Sequence, residues 1–190
     1  MGRDGGAAVL IGLALFLLLL PLRWVAALVI AMTVHELSHY LAVRLCGGKI
    51  RRIHAGLNGM RMEVEALPPW QELLCALAGP AGGFLLLLFV RLLPRTAICA
   101  AFQSLFNLLP VYPLDGGRAM RCCGELLLPG RAEGVCKAVE ILCLAAILYL
   151  GCYGTFVLKL GLLPLGMAAI LLQRSIAVKI PCKAGIFSVQ

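Results

Sequence analysis

The stretch Thr33-Val34-His35-Glu36-Leu37-Ser38-His39-Tyr40 carries two imidazoles and a carboxylate at H-E-x-x-H spacing. Four residues advance a helix by about 400°, so His35 and His39 fall within roughly 40° of each other, one turn apart. Two imidazoles so placed can hold one metal ion. Glu36 is rotated by about 100° from His35. Its carboxylate therefore stands beside the ion, where it can take a proton from bound water. The plainer reading is a pair of packing histidines and an ion pair. Against it stands the cost of placing such groups in an apolar helix, roughly 2–3 kcal/mol or more for each charge at mid-membrane.

Catalytic zinc commonly takes three protein ligands and leaves one position open, so a third ligand is needed. Aspartate occurs only as Asp4 and Asp115. Asp115 ends the run Phe106-Asn107-Leu108-Leu109-Pro110-Val111-Tyr112-Pro113-Leu114, in which the two prolines break a helix, and Gly116-Gly117 permit a tight turn. Taken alone, this is an ordinary Asp-Gly turn. His54, Glu63 and Glu65 are alternative ligands that suit a solvated strand face better. Cys46 follows the helix closely, but its thiolate needs a different geometry. Asn107 has two readings: an interhelical hydrogen bond, or a donor to substrate backbone or a developing oxyanion.

The elements that must position these residues are those of a membrane protein. The chain has 190 residues, 62% of them hydrophobic, against roughly 45–50% for soluble domains. Six apolar segments are expected, near Ala7–Leu22, Trp24–Leu45, Trp70–Leu93, Thr96–Leu114, Val135–Gly154 and Phe156–Leu172. Apolar sequence resuming at Trp24 argues against a cleaved signal peptide. With the N-terminus cytoplasmic, only Arg23, Arg91, Arg95 and Lys159 lie outside, so both termini are expected inside. The net charge of +8 then marks topology and does not point to nucleic acid. The second and fourth segments run the same way, and a broken fourth helix can bring Asp115 level with His39, roughly 9 Å below the cytoplasmic side.

Between the second and third segments, residues 49–66 alternate apolar and polar side chains around Asn58-Gly59, a hairpin signal. A two-stranded ribbon at the cytoplasmic face is expected, leaning on the helices or the headgroups, with a free edge that an extended peptide can join. Leu77-Ala78-Gly79-Pro80-Ala81-Gly82-Gly83 is either a tight helix-packing surface or a bend that frees a carbonyl near a site. The nine cysteines are scattered through apolar segments and read as reduced, small hydrophobes. No stretch is long enough for a separate soluble domain, so residues 1–190 are expected to form a single membrane unit.

H-E-L-S-H in one apolar segment, followed by N-L-L-P-V-Y-P-L-D-G-G, resembles the site-2 protease family of intramembrane zinc metalloproteases over residues 24–118. Six segments in a short chain are most similar to the bacterial branch that processes a membrane-tethered sigma-factor precursor during sporulation. The resemblance implies an all-α polytopic fold in the bacterial cell membrane, with the hairpin as a membrane-associated element near the substrate path. It implies that His35, His39 and Asp115 bind Zn2+, that Glu36 activates the attacking water and that Asn107 contacts substrate, all toward the cytoplasmic side. The family's asparagine three residues after A-G-P is Gly83 here. Regulation through a C-terminal CBS domain is not expected, since about 18 residues follow the last segment. Expected partners are a membrane-tethered protein substrate, the lipid bilayer and an inhibitory or activating membrane protein.

Two other function classes bear weighing. A catalytically silent relative that binds membrane proteins has no need of Glu36. A different membrane zinc peptidase takes a later glutamate as third ligand, for which Glu125, Glu133 and Glu140 are available.

Overall fold

The computed structural model describes residues 21–56, 59–65, 67–159, 161–177 and 186–189. The first expected segment, Ala7–Leu22, lies outside the described residues but for its last two. Helix α1 (Leu22–Leu45) follows Pro21 and contains neither Gly nor Pro. It stops at Gly47, whose φ of +75° suits a residue without Cβ; the Gly47 and Gly48 N–H groups donate to the carbonyls of Arg44 (3.1 Å) and Val43 (2.9 Å).

Strands β1 (Ile50–Gly56) and β2 (Gly59–Glu65) form the expected antiparallel hairpin. Two details differ from expectation. Gly56 pairs with Gly59, so Gly59 belongs to β2 and the connection is made by residues 57 and 58, which lie outside the described residues. The sheet also has a third strand, β3 (Ile186–Val189), antiparallel to β2. Among the described residues the open edges of the sheet are therefore those of β1 and β3. The hairpin leans on the helices as expected: Met62 and Val64 are buried with Val43 of α1 and Cys75, flanked by Tyr40, Ile50 and Leu67.

Helix α2 (Pro69–Leu85) starts on a proline at its first position and runs through Pro80 into a 3₁₀ turn, Leu86–Phe89. It packs against α1, against α3 (Pro94–Asn107) and against α4 (Asp115–Leu127), and so lies at the centre of the fold. Helix α5 (Ala132–Phe156) packs on α4 and on α6 (Leu163–Ala177).

Three boundaries correct the sequence reading. The break expected at Pro110 and Pro113 ends the fourth helix at Asn107, seven residues before the expected Leu114, and the chain then turns through residues 108–114. Gly116 and Gly117 are not a turn. They open α4, where a Cβ on Gly116 would collide with the carbonyl of Leu108, and one on Gly117 would come within 2.5 Å of the Tyr112 nitrogen. The sixth segment begins at Leu163, after a loop in which Lys159 and Gly161 have positive φ.

Among the described residues, three helices are long and apolar enough to cross a bilayer: Leu22–Leu45, Pro69–Phe89 and Ala132–Phe156. Their polarity is inverted relative to a soluble fold. Val29, Ile30, Leu37, Leu41, Leu88, Ile141, Leu142 and Leu150 are exposed, while His35, His39, Thr96, Ser104, Asp115, Arg118 and Glu140 are buried. Such a surface is solvated by lipid, and the chain is a membrane protein.

Candidate metal centre

His35 and His39 stand one turn apart on α1, with ring centroids 4.8 Å apart. Asp115 reaches them from the first position of α4. His35 Nε2 lies 3.1 Å and His39 Nε2 3.2 Å from Asp115 Oδ2, and the two Nε2 atoms are 3.2 Å apart. All three side chains are at most 2% exposed.

Hydrogen bonding fixes what these atoms can do. His39 Nδ1 is 2.7 Å from the Cys75 carbonyl. A carbonyl only accepts, so Nδ1 carries the proton and Nε2 of the neutral ring is a lone pair. Asn107 Nδ2 lies 3.2 Å from His35 Nε2. Two imidazole nitrogens and a carboxylate oxygen face one another in a buried space, a donor set that suits a cation. Separations of 3.1–3.2 Å approach the ~3.3 Å edge of a tetrahedron with metal–ligand distances of about 2.0–2.1 Å. The His-His-Asp group fits a divalent metal ion.

Neighbouring glycines and charges complete the site. A Cβ on Gly79 would overlap the His39 imidazole, one on Gly82 would overlap Ser38 Oγ, and one on Gly83 Ser104 Oγ. The 77–83 stretch is accordingly a packing surface: Pro80 lies within a continuous helix, and Gly79 makes room for a ligand side chain. Gly83 contributes no side chain, and the buried Ser104 hydroxyl fills the space beside it. Glu36 is half-buried, within electrostatic reach of His39, His35 and Asp115, and its Oε2 has no hydrogen-bond partner among the described residues. Arg118 Nη1 lies 3.9 Å from Asp115 Oδ1 and adds buried positive charge behind the carboxylate.

The alternative ligands fall elsewhere. Glu65 pairs with Arg51 at 3.1 Å on the exposed sheet, and the side chains of His54 and Glu63 lie outside the described residues. Glu140 is engaged by Tyr112, Arg121 and Ser175. The described cysteines are free thiols. Burial, reinforced by the charge of Glu72, pushes the Cys122 thiol up to about 12, which leaves it a poor thiolate donor. Sequence reasoning missed Gly79, the Cys75 carbonyl, Arg118 and the partners of Glu140, which it weighed only as a ligand. Gly79 carried a signal, the small-residue run; the others carried none, because a main-chain carbonyl has no sequence signature and a lone charge does not reveal its partner.

No protein-family model matches the chain. It is 33% identical, over an alignment of 140 residues, to "Putative zinc metalloprotease" of Synechocystis sp. (strain ATCC 27184 / PCC 6803 / Kazusa), covering 62% of this chain and 37% of that protein. The chain thus spans little more than a third of the length of the curated relative it matches. Among solved structures it is similar to the site-2 protease from Methanocaldococcus jannaschii, with a TM-score of 0.62 and 21% identity, covering 93% of this chain and 89% of that one. The two chains share a fold.

Proposed function

We propose that this protein is an intramembrane zinc metalloprotease of the site-2 protease type, hydrolysing peptide bonds of membrane-embedded or membrane-tethered proteins. The observation that carries the proposal is the convergence of two imidazole nitrogens and the Asp115 carboxylate at 3.1–3.2 Å, with the Glu36 carboxylate close by. The name of the Synechocystis relative and the fold shared with the archaeal protease support it.

His35, His39 and Asp115 would hold the ion. Zinc bound there supplies Lewis-acid polarisation of a carbonyl and of water. Glu36, off the ligand set but beside it, accepts a proton from water at the site and returns it to the leaving amine. Asn107 Nδ2, 3.2 Å from His35 Nε2, is placed to donate to the substrate carbonyl oxygen. The exposed apolar face of α1, the helix that carries both histidines, keeps the site within the lipid-facing part of the fold. A helical substrate hides its carbonyls and must unwind locally, and an extended segment could pair with an outer edge of the sheet, β1 or β3, since β2 is already paired on both sides.

The proposal extends to six spans with both termini cytoplasmic, in a bacterial cell membrane, with the site toward the cytoplasm, as the basic residues suggest. It places the whole function in one membrane unit and includes a membrane-tethered sigma-factor precursor as the narrowest substrate class. The test is co-expression of a panel of membrane-tethered substrates, sigma-factor precursors included, with wild type or Glu36→Gln. Product with wild type, lost in Glu36→Gln while expression and bound zinc persist, is expected. Equal product from both proteins would refute the role of Glu36.

A further inference from the structure

We propose that Glu140, on α5, is a positioning residue that sets the place of the Asp115 ligand; the inference rests on the metalloprotease reading above. Glu140 is 8% exposed and sits among apolar residues of a helix long enough to span the bilayer. A buried carboxylate there needs partners, and it has three. The main-chain N–H of Tyr112 donates to Oε1 at 3.0 Å, the Ser175 hydroxyl donates to the same oxygen at 2.9 Å, and Arg121 Nη2 donates to Oε2 at 3.3 Å. Arg121 also lies over the Tyr112 ring, 4.4 Å from its centroid.

The three partners belong to different parts of the fold: Ser175 to α6, Arg121 to α4, and Tyr112 to the turn that delivers Asp115. Asp115 is only three residues beyond Tyr112. The same turn packs its apolar side chains, Val111 and Leu114, against Leu144 of α5 and Leu171 of α6. Turn 108–114 is therefore fixed to α5 and α6 by one polar and one apolar attachment. The two histidines share a single rigid helix and keep their spacing without help. Asp115 does not, because it approaches from another element across residues with no helical hydrogen-bond ladder. Its distance from the histidines is set by where turn 108–114 is anchored, and Glu140 is the polar anchor.

The test is Co2+ affinity and the Co2+ absorption spectrum of the detergent-solubilised full chain, measured beside thermal unfolding of the apo protein. Glu140→Met keeps the volume and removes both oxygens. It is expected to weaken Co2+ about tenfold, within the range seen when groups supporting a metal ligand are lost, and to alter the spectrum. Glu140→Gln keeps an acceptor for Tyr112 and Ser175 and is expected to stay within about threefold of wild type. Gly151→Ala, which crowds Ala168 and Pro164 at the α5–α6 contact and touches no part of the turn, is expected to lower thermal stability and leave Co2+ affinity unchanged.

Wild-type affinity and spectrum in Glu140→Met would overturn the proposal, as would a loss in Gly151→Ala equal to that in Glu140→Met. Should Glu140→Met not fold, Arg121→Leu removes one anchor at a partly exposed position and is expected to weaken Co2+ about threefold; wild-type affinity there overturns the proposal. Absence of Co2+ binding to the wild type itself would sink the metalloprotease reading and this inference together, and is read separately from the variants.

Discussion

Gly79→Ala sets two effects of opposite sign against each other. Alanine in place of glycine within a helix is ordinarily favourable by about 1 kcal/mol, because glycine loses more backbone freedom on folding. At Gly79 the added methyl would overlap the His39 imidazole, which is fully buried and held through Nδ1 by the Cys75 carbonyl at 2.7 Å. Overpacking of this kind costs about 1–3 kcal/mol. The ring cannot retreat without breaking its hydrogen bond, which makes the upper part of that range the relevant one and leaves a net loss of about 1–2 kcal/mol.

The larger effect of Gly79→Ala falls on metal binding. Displacing His39 Nε2 from a ligand triangle with 3.1–3.2 Å sides is expected to weaken zinc by at least about tenfold. Gly134→Ala on α5 is the internal reference, since nothing lies within 4 Å of its Cβ, and it is expected to be neutral or stabilising by up to about 1 kcal/mol. Thermal unfolding in detergent and zinc titration against a chelator measure both quantities. A Gly79→Ala protein as stable as Gly134→Ala, with wild-type zinc affinity, would refute the packing of α2 on the imidazole.

Further outcomes follow from the same geometry. Asp115→Asn removes the ligand charge while keeping nearly the same shape, and zinc affinity should fall by more than about tenfold with little change in helix content by circular dichroism. A chelator should abolish substrate cleavage and added zinc restore it; cleavage that persists in metal-free protein would exclude metal chemistry. Met62→Ala, at a side chain 1% exposed between α1 and α2, should cost about 2–5 kcal/mol in unfolding free energy. Arg51→Ala, which breaks an exposed pair with Glu65, should cost less than about 1 kcal/mol.

What the sequence disclosed and what it hid divide along a physical line. The His35-Glu36-His39 spacing was legible because one helix imposes it, and Asp115 because two prolines fix where the helix must end. The 49–66 hairpin was legible from its alternation. Helix α4 was missed, since Asp-Gly-Gly reads locally as a turn, and the glycines are there instead to let α4 approach the turn backbone. β3 pairs with β2 across more than a hundred residues of chain, and neither strand announces that partner. Glu140 was weighed only as a later glutamate ligand; its contacts with Tyr112, Arg121 and Ser175 are ones that no local pattern connects to it.

Among the described residues, 24–118 contain the three groups that converge at the candidate metal centre and only part of what holds them in place. α1 supplies two ligands and α2 shapes the space behind one of them, through Gly79 and the Cys75 carbonyl. Turn 108–114 brings the third ligand, and its supports are Glu140, Leu144, Leu171 and Ser175 of α5 and α6. Two ligands on one helix bind with modest geometric demand, whereas the third requires a correctly placed turn. If Glu140 anchors the turn as proposed, the helices after Arg118 help to place the third ligand, and a unit cut at the end of the motif is expected to keep the sequence signature and lose metal affinity.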